Sequence, residues 1–271
     1  MRTRYGVPLA AKRRSPWIIP LLAIAFLSGC ATTPYRAHPQ FEERLRSGLR
    51  VAVMPPDVKV YQITAGEVQE QMDEWTETAR KNVVAAISKR LTGGGGLTIR
   101  DFDPTQSEAA REEFEDARWL FQAVALSAAL HAYPTPVQLE TKKERFDYTL
   151  GPLPTLAQAS EADALLFVQG LDHISTSGRV ARDVILTILA VAATAAARSP
   201  IIFPGPSGGV TGMWAALVDA QTGDVLWFNK YSTAGAHDLR DPVSAEEFVS
   251  KTLEGLTTFV PTATPVKLKQ Q

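Results

Sequence analysis

The sequence predicts an α/β fold: a mixed sheet of about five strands with helices packed on it, and a C-terminal β-hairpin followed by a helix. Three observations predict it. Short apolar runs alternate with longer amphipathic stretches, the pattern of a layered sheet. From Trp75 the apolar residues Ala79, Val83, Ile87 and Leu91 fall four apart, which marks one face of a helix. Two apolar runs, 212–219 and 224–231, are joined by Ala220-Gln221-Thr222-Gly223, a hairpin loop of the bulged type.

The elements follow in order. Residues 50–56 form an apolar run closed by Pro55-Pro56, read as a first, buried strand that stops abruptly. The helix over 72–91 comes next and ends at Gly93-Gly94-Gly95-Gly96. Residues 97–102 alternate and are rich in β-formers, so they give a second strand. Thr105 with Glu108 has the spacing of a capping box, and Phe114, Ala117, Phe121, Val124, Ala128 and His131 then share one helix face until Pro134 and Pro136. Pro154 opens a short helix to 162, and Ala164-Leu165-Leu166-Phe167-Val168 reads as a third, buried strand. After the hairpin, Asp241-Pro242 and Ser244 with Glu247 give two overlapping starts for a final helix to about residue 256. The chain has no internal repeat.

The front of the chain is of another kind. Arg2, Arg4, Lys12, Arg13 and Arg14 precede an apolar stretch over 17–27, the layout of an export signal. That stretch is well short of the roughly 20 residues a spanning helix needs, and Pro20 interrupts it. Leu27-Ser28-Gly29-Cys30 resembles the lipobox of bacterial lipoproteins. The resemblance implies cleavage before Cys30, acylation of its thiol and amine, and attachment to the membrane by two or three acyl chains, enough for stable anchoring. Ala31, where an Asp would retain such a protein in the inner membrane, points to the periplasmic face of the outer membrane. Cys30 is the only Cys, so no disulfide within one chain is available and stability must come from the core.

The expected organisation is therefore a signal over 1–29, the lipidated Cys30 and a linker over 30–47, one α/β domain over 48–257 with an apolar insertion at 184–203, and a loose tail over 258–271. Removal of 1–29, which hold five of the 28 basic residues and no acid, leaves a formal charge of −6 on 242 residues, so nucleic acid is excluded as a partner. With 45% hydrophobic and 21% charged residues over its full length, the chain reads as globular through most of that length.

The order of elements, together with Glu161-Ala162-Asp163-Ala164-Leu165-Leu166-Phe167-Val168 and Leu217-Val218-Asp219-Ala220-Gln221-Thr222-Gly223-Asp224-Val225-Leu226-Trp227, resembles one group of proteins. It is the periplasmic α/β domain shared by the curli secretion channel lipoprotein, the TolB N-terminal domain and small related lipoproteins of unknown function. The resemblance spans roughly 48–257. It implies a binding or assembly role in the envelope, with a protein partner or self-association, rather than catalysis. The chain departs from that pattern at 184–197, a fourteen-residue apolar run between Arg182-Asp183 and Arg198. As a helix it would reach about 21 Å, too short to span a bilayer. It also lacks the alternation of a transmembrane β-strand, which removes the main support for a secretion channel. The run is read as a buried helix, with a partner surface bearing Val184, Leu186 and Leu189, or a segment lying on the membrane, as the alternatives.

Little in the sequence suggests chemistry. His38, His131, His173 and His237 lie far apart without ligand spacing, so neither a metal nor a cofactor is expected. Asp172-His173 with Ser175 and Ser177 raises an envelope hydrolase, but adjacent residues of a strand face opposite sides and no nucleophile elbow is present. Residues 93–96 lack the Lys-Ser/Thr of a phosphate loop, and Gly205-Pro206-Ser207-Gly208-Gly209 reads as a loop. Glu67, Glu70, Asp73, Glu74 and Glu77 cluster about a helix start, where the dipole favours them; a docking site for a basic partner is the sharper alternative.

Overall fold

The computed structural model describes residues 35–64, 66, 68–92, 97–100, 102–176 and 209–256. The signal and lipobox residues, Cys30, Glu67, residues 93–96, Ser177, the apolar run with Val184, Leu186 and Leu189, and the tail lie outside the described residues.

The chain opens with β1 (Arg36–Ala37), α1 (Phe41–Arg46), β2 (Leu49–Val53), β3 (Asp57–Ile63), β4 (Gln69–Gln71) and α2 (Asp73–Leu91). It continues through β5 (Leu97–Arg100), α3 (Glu108–His131), α4 (Glu140–Glu144) and α5 (Pro154–Ser160). Three long elements follow, β6 (Ala164–Ser175), β7 (Gly209–Asp219) and β8 (Val225–Ala234), before α6 (Pro242–Thr252). The α/β class and the closing hairpin and helix are as expected. Among the described residues, however, the sheet has eight strands in the order β1-β8-β7-β6-β2-β5, with β3 also on β6 and β4 on β3.

The additional strands have a simple cause. Pro55 and Pro56 do end β2, because proline has no N–H to donate to the ladder. The chain then re-enters the same edge of β6 at once. Ala164, Leu165 and Leu166 pair in parallel with Val51, Ala52 and Val53, and seven further residues of β6 pair in parallel with β3, from Asp57 beside Gln169 to Ile63 beside Ser175. The opposite edge of β6 carries β7, antiparallel, along eleven residue pairs. β6 is thus the strand on which the molecule is assembled.

The folded unit also begins earlier than 48. Ala37 pairs with Trp227, Phe41 and Leu45 are buried, and the Arg44 guanidinium is bound to Asp219. Residues 36–46 are therefore part of the fold and not of a linker; their apolar residues are too few to carry a helical or strand period on their own.

Alternation along β6 divides the interior in two. Ala164, Leu166 and Val168 face α2, α6 and α1, with Val83, Ile87, Phe248 and Trp227 in the same layer. Leu165 and Phe167 face α3 and α5, with Phe114, Phe121, Leu156 and Phe228. The start of α3 differs from the expected capping box. Thr105 lies in a 3₁₀ turn and donates its hydroxyl to Asp103 Oδ1 (2.8 Å), while Ser107 Oγ caps α3 by accepting from the Ala110 N–H (3.4 Å). Asp103 Oδ1 accepts both the N–H and the hydroxyl of Thr105, which holds Thr105 inside the turn and away from the first turn of α3, and these bonds hold the Asp103 carboxyl below the ordinary range. At α6 the first of the two starts is used: Asp241 Oδ1 accepts from Ser244 N (2.8 Å) and Pro242 occupies the first turn.

The β7–β8 loop is bulged after the Leu217–Trp227 pair. Asp219 Oδ1 accepts the N–H groups of Gln221 and Thr222, and Gly223 turns the chain at φ +77°. A Cβ at Gly223 would overlap the carbonyl of Gly151, so both φ and space require glycine.

Candidate functional site

Past the region covered by α3, strands β3, β6 and β7 continue with one face open. Register sets the side chains there in rows: Asp57, Gln169 and Trp214; Lys59, Leu171 and Gly212; Tyr61, His173 and Val210. Leu171 is 41% and Val210 44% exposed, although both belong to the apolar pattern of long central strands. Gly212 has no side chain in the middle row, and a Cβ placed there would meet only Ser232 at 3.9 Å. The result is a depression of about 330 Å³ floored by these rows up to Tyr61 and Val210, with His173 outside it and Gln122 of α3 at its wall.

The wall is held by charge. Arg118 bridges Asp57 (3.1 Å) and Glu115 (2.6 Å), tying α3 to β3 at the covered end of the face. At the open end the Tyr61 and His173 rings meet edge to face, 5.3 Å between centroids. The backbone of β7 also comes very close there: Gly209 has φ +131°, and a Cβ on it would overlap the His173 carbonyl.

The opposite side of the same strands is closed. Asp172 is buried; its Oδ1 accepts from the Thr211 hydroxyl (2.9 Å) and its Oδ2 from the Leu239 N–H (2.9 Å). Burial pushes its carboxyl above the ordinary carboxylate range. Nearby, Arg240 pairs with Asp238 (2.6 Å) and stacks on Trp75 (4.1 Å), and Asn82 donates to the carbonyls of Leu239 and Arg240. This cluster locks the 235–241 loop and α6 onto β6 and β7.

The placement separates the residues of the hydrolase reading. Asp172 and His173 lie on opposite faces, the first among buried partners and the second against Tyr61, so the acid that would orient the imidazole is turned away from it. Ser175 follows on the His173 face, and Ser177 lies outside the described residues. The other histidines have local roles: His131 Nδ1 contacts the Val137 carbonyl (2.8 Å), His38 Nδ1 accepts from Gln40 N (3.3 Å), and His237 Nδ1 contacts Thr233 Oγ1 (3.0 Å). Among the described residues no group of His, Cys, Asp or Glu could hold a metal ion, and no helix is long and apolar enough to cross a membrane. In the acidic cluster, Asp73 and Glu74 occupy the first turn of α2, Glu77 pairs with Lys81 (3.3 Å), and Glu70 lies in β4.

The open face was missed from sequence because β3 was. Its signal was present in Asp57-Val58-Lys59-Val60-Tyr61-Gln62-Ile63, where Val58, Val60 and Ile63 are buried and Lys59 and Tyr61 lie on the open face.

No family model and no curated protein matches the chain. Among solved structures, it is similar to the PelC dodecamer from Paraburkholderia phytofirmans at 12% identity, over 84% of this chain and 99% of that one, with a TM-score of 0.35. It is also similar to the LpoB C-terminal domain from Salmonella enterica at 13% identity, over 79% and 93% of the two chains, with a TM-score of 0.25. Both scores lie below 0.5, and the fold given above stands on the chain's own strands and cores.

Proposed function

We propose that the chain is an envelope lipoprotein, held through acylated Cys30 on the periplasmic face of the outer membrane, that works by binding or assembly rather than by catalysis. The observation that supports this best is the open β3–β6–β7 face. Its centre of Leu171, Val210 and Tyr61 is apolar and aromatic, and its rim of Lys59, Gln122 and Gln169 is polar. That is the anatomy of a protein–protein contact. The occupant is an envelope protein that presents an apolar side chain to the gap at Gly212 and hydrogen-bonding groups to the two glutamines.

Photo-cross-linking from position 171 of the full, lipidated chain in intact cells tests the reading. A discrete adduct is expected, lost with Val210→Asp and lost when Cys30→Ala removes the anchor. Absence of any adduct from position 171, or an adduct unaffected by Val210→Asp, would overturn it.

A further inference from the structure

Helix α3 presents two apolar faces, and only one of them is used. Its inner face, from Ala110 and Phe114 to Ala128, is packed in the core. On the outer face Trp119 is 60%, Leu126 49% and Leu130 39% exposed, and Ala123 is exposed between them. Six of the eleven large apolar side chains exposed among the described residues lie on α3 or in the loop just after it. Such concentration marks an interaction surface rather than the scattered exposure of ordinary surfaces.

The spacing is specific. Trp119, Ala123, Leu126 and Leu130 are separated by four, three and four residues, the seam of a helix that packs lengthwise on another helix. Toward the N-terminus the same seam runs on through Asp116 and Glu112, both exposed. At the other end, Arg36 donates to the Ala132 carbonyl (2.7 Å) and Lys230 to the Ala129 carbonyl (3.1 Å), and both cations lie over the Tyr133 ring, at 5.2 and 4.7 Å. Among the described residues neither Asp116 nor Glu112 has a basic partner, and neither Arg36 nor Lys230 has a carboxylate. The seam is therefore acidic at one end, basic at the other and apolar between.

We infer that this seam pairs α3 with α3 of a second copy of the chain, antiparallel and about a two-fold axis. A register that sets Trp119 against Leu130 of the second copy also sets Ala123 against Leu126, so each large side chain meets a smaller one. The same register brings Asp116 opposite Tyr133, where Arg36 and Lys230 supply the missing cations. A parallel pair would instead stack Asp116 on Asp116. A membrane surface is the poorer occupant: Arg118, over the Trp119 ring at 4.8 Å, is bound to Asp57 and Glu115, and the seam itself runs on through Glu112 and Asp116, which an anionic lipid surface repels. The seam is one helix long, which places the contact among the small, reversible ones.

Sedimentation equilibrium on the full chain carrying Cys30→Ala tests the pairing. A reversible monomer–dimer equilibrium is expected at micromolar concentrations. Leu126→Glu should weaken it by about a hundredfold, as expected for a charge placed at the centre of an interface. Asp116→Lys should weaken it by about tenfold, and adding Lys230→Glu to Asp116→Lys should recover most of that loss, since the exchange restores opposite charges across the pair. Circular dichroism melts of each variant identify any that are unfolded, and Ala123→Glu, at an exposed position, serves as the second central substitution. A monomer up to about 100 μM, or a dimer indifferent to Leu126→Glu and Ala123→Glu, would overturn the inference. So would a monomer that binds vesicles of mixed anionic and zwitterionic lipid and loses that binding with Leu126→Glu.

Discussion

The carboxylate of Asp172 accepts the backbone N–H of Leu239 at 2.9 Å, joining the central strand to a loop 67 residues further along. This one side chain satisfies the Leu239 amide and the Thr211 hydroxyl in a place water does not reach. Asp172→Ala leaves both groups without their acceptor and should cost about 1–3 kcal/mol. Asp172→Asn keeps an acceptor for Leu239, and its amide can donate to Thr211 Oγ1, whose own proton then turns to the His237 carbonyl 3.1 Å away. It should stay within about 1 kcal/mol of the parent at neutral pH. Urea unfolding of the two variants separates these outcomes.

The same group fixes a sign for pH dependence. Because burial raises the Asp172 carboxyl, the folded protein holds this proton to higher pH than the unfolded chain does. Stability from this site is therefore greatest at or below the ordinary carboxylate value of about 4 and falls as pH rises through the raised folded value. Asp238 and Asp163 behave oppositely: Arg240 and Arg50 hold them low, so their contribution is present above about 4 and lost as pH falls. Denaturation midpoints followed from pH 4 upward should show a decline in the parent that Asp172→Asn removes, with the acid-side loss unchanged.

Gly223→Ala forces a side chain into a left-handed turn and onto the Gly151 carbonyl. The backbone strain alone is worth about 1–3 kcal/mol, and the overlap adds to it. A drop in melting temperature is expected, larger than that of Gly212→Ala on the open face, where the added methyl has room.

Phe41→Ala tests where the fold begins. The ring is buried against the α2–α6 layer, and its removal should cost about 3–5 kcal/mol. A residue in a tether would cost nothing measurable.

Cys30→Ala should abolish acyl labelling and release the protein from the membrane fraction, because the remaining protein then has no acyl chain to bury. Fractionation with an acyl probe reads both at once. A variant that stays membrane-bound would move the anchor to another segment.

The legible parts of the fold were those where one period dominates. The four-residue spacing of α2 coincides with its one buried face, and the two apolar runs of the hairpin are buried on both faces, in both layers of the core. β3 was hidden because Pro55-Pro56 is a strong stop, and only its pairing with the same edge of β6 that β2 uses shows that the chain resumes as a strand. The open face was hidden with it: Tyr61 and His173 meet through register between strands far apart in sequence, which no local pattern records. On α3 the inner face was read correctly, and Trp119, Leu126 and Leu130 stand out only once that face is known to be filled. The local turn chemistry at Asp103 misled in the other direction, since bonds from Thr105 to Asp103 hold Thr105 in a 3₁₀ turn and leave the cap to Ser107.

The sharing of one edge of β6 between β2 and β3 also has a consequence in time. Val51 waits for Ala164, more than a hundred residues later in the chain, and at about 5–20 residues per second of synthesis that is an interval of roughly 6–20 s. Throughout it β2 has only β5 and β3 only the short β4 to pair with, and the edge that each will lay on β6 stays unpaired. The first long strands to be made thus stay half-paired until the central strand follows, and the newborn chain depends during that interval on whatever keeps extended apolar segments apart.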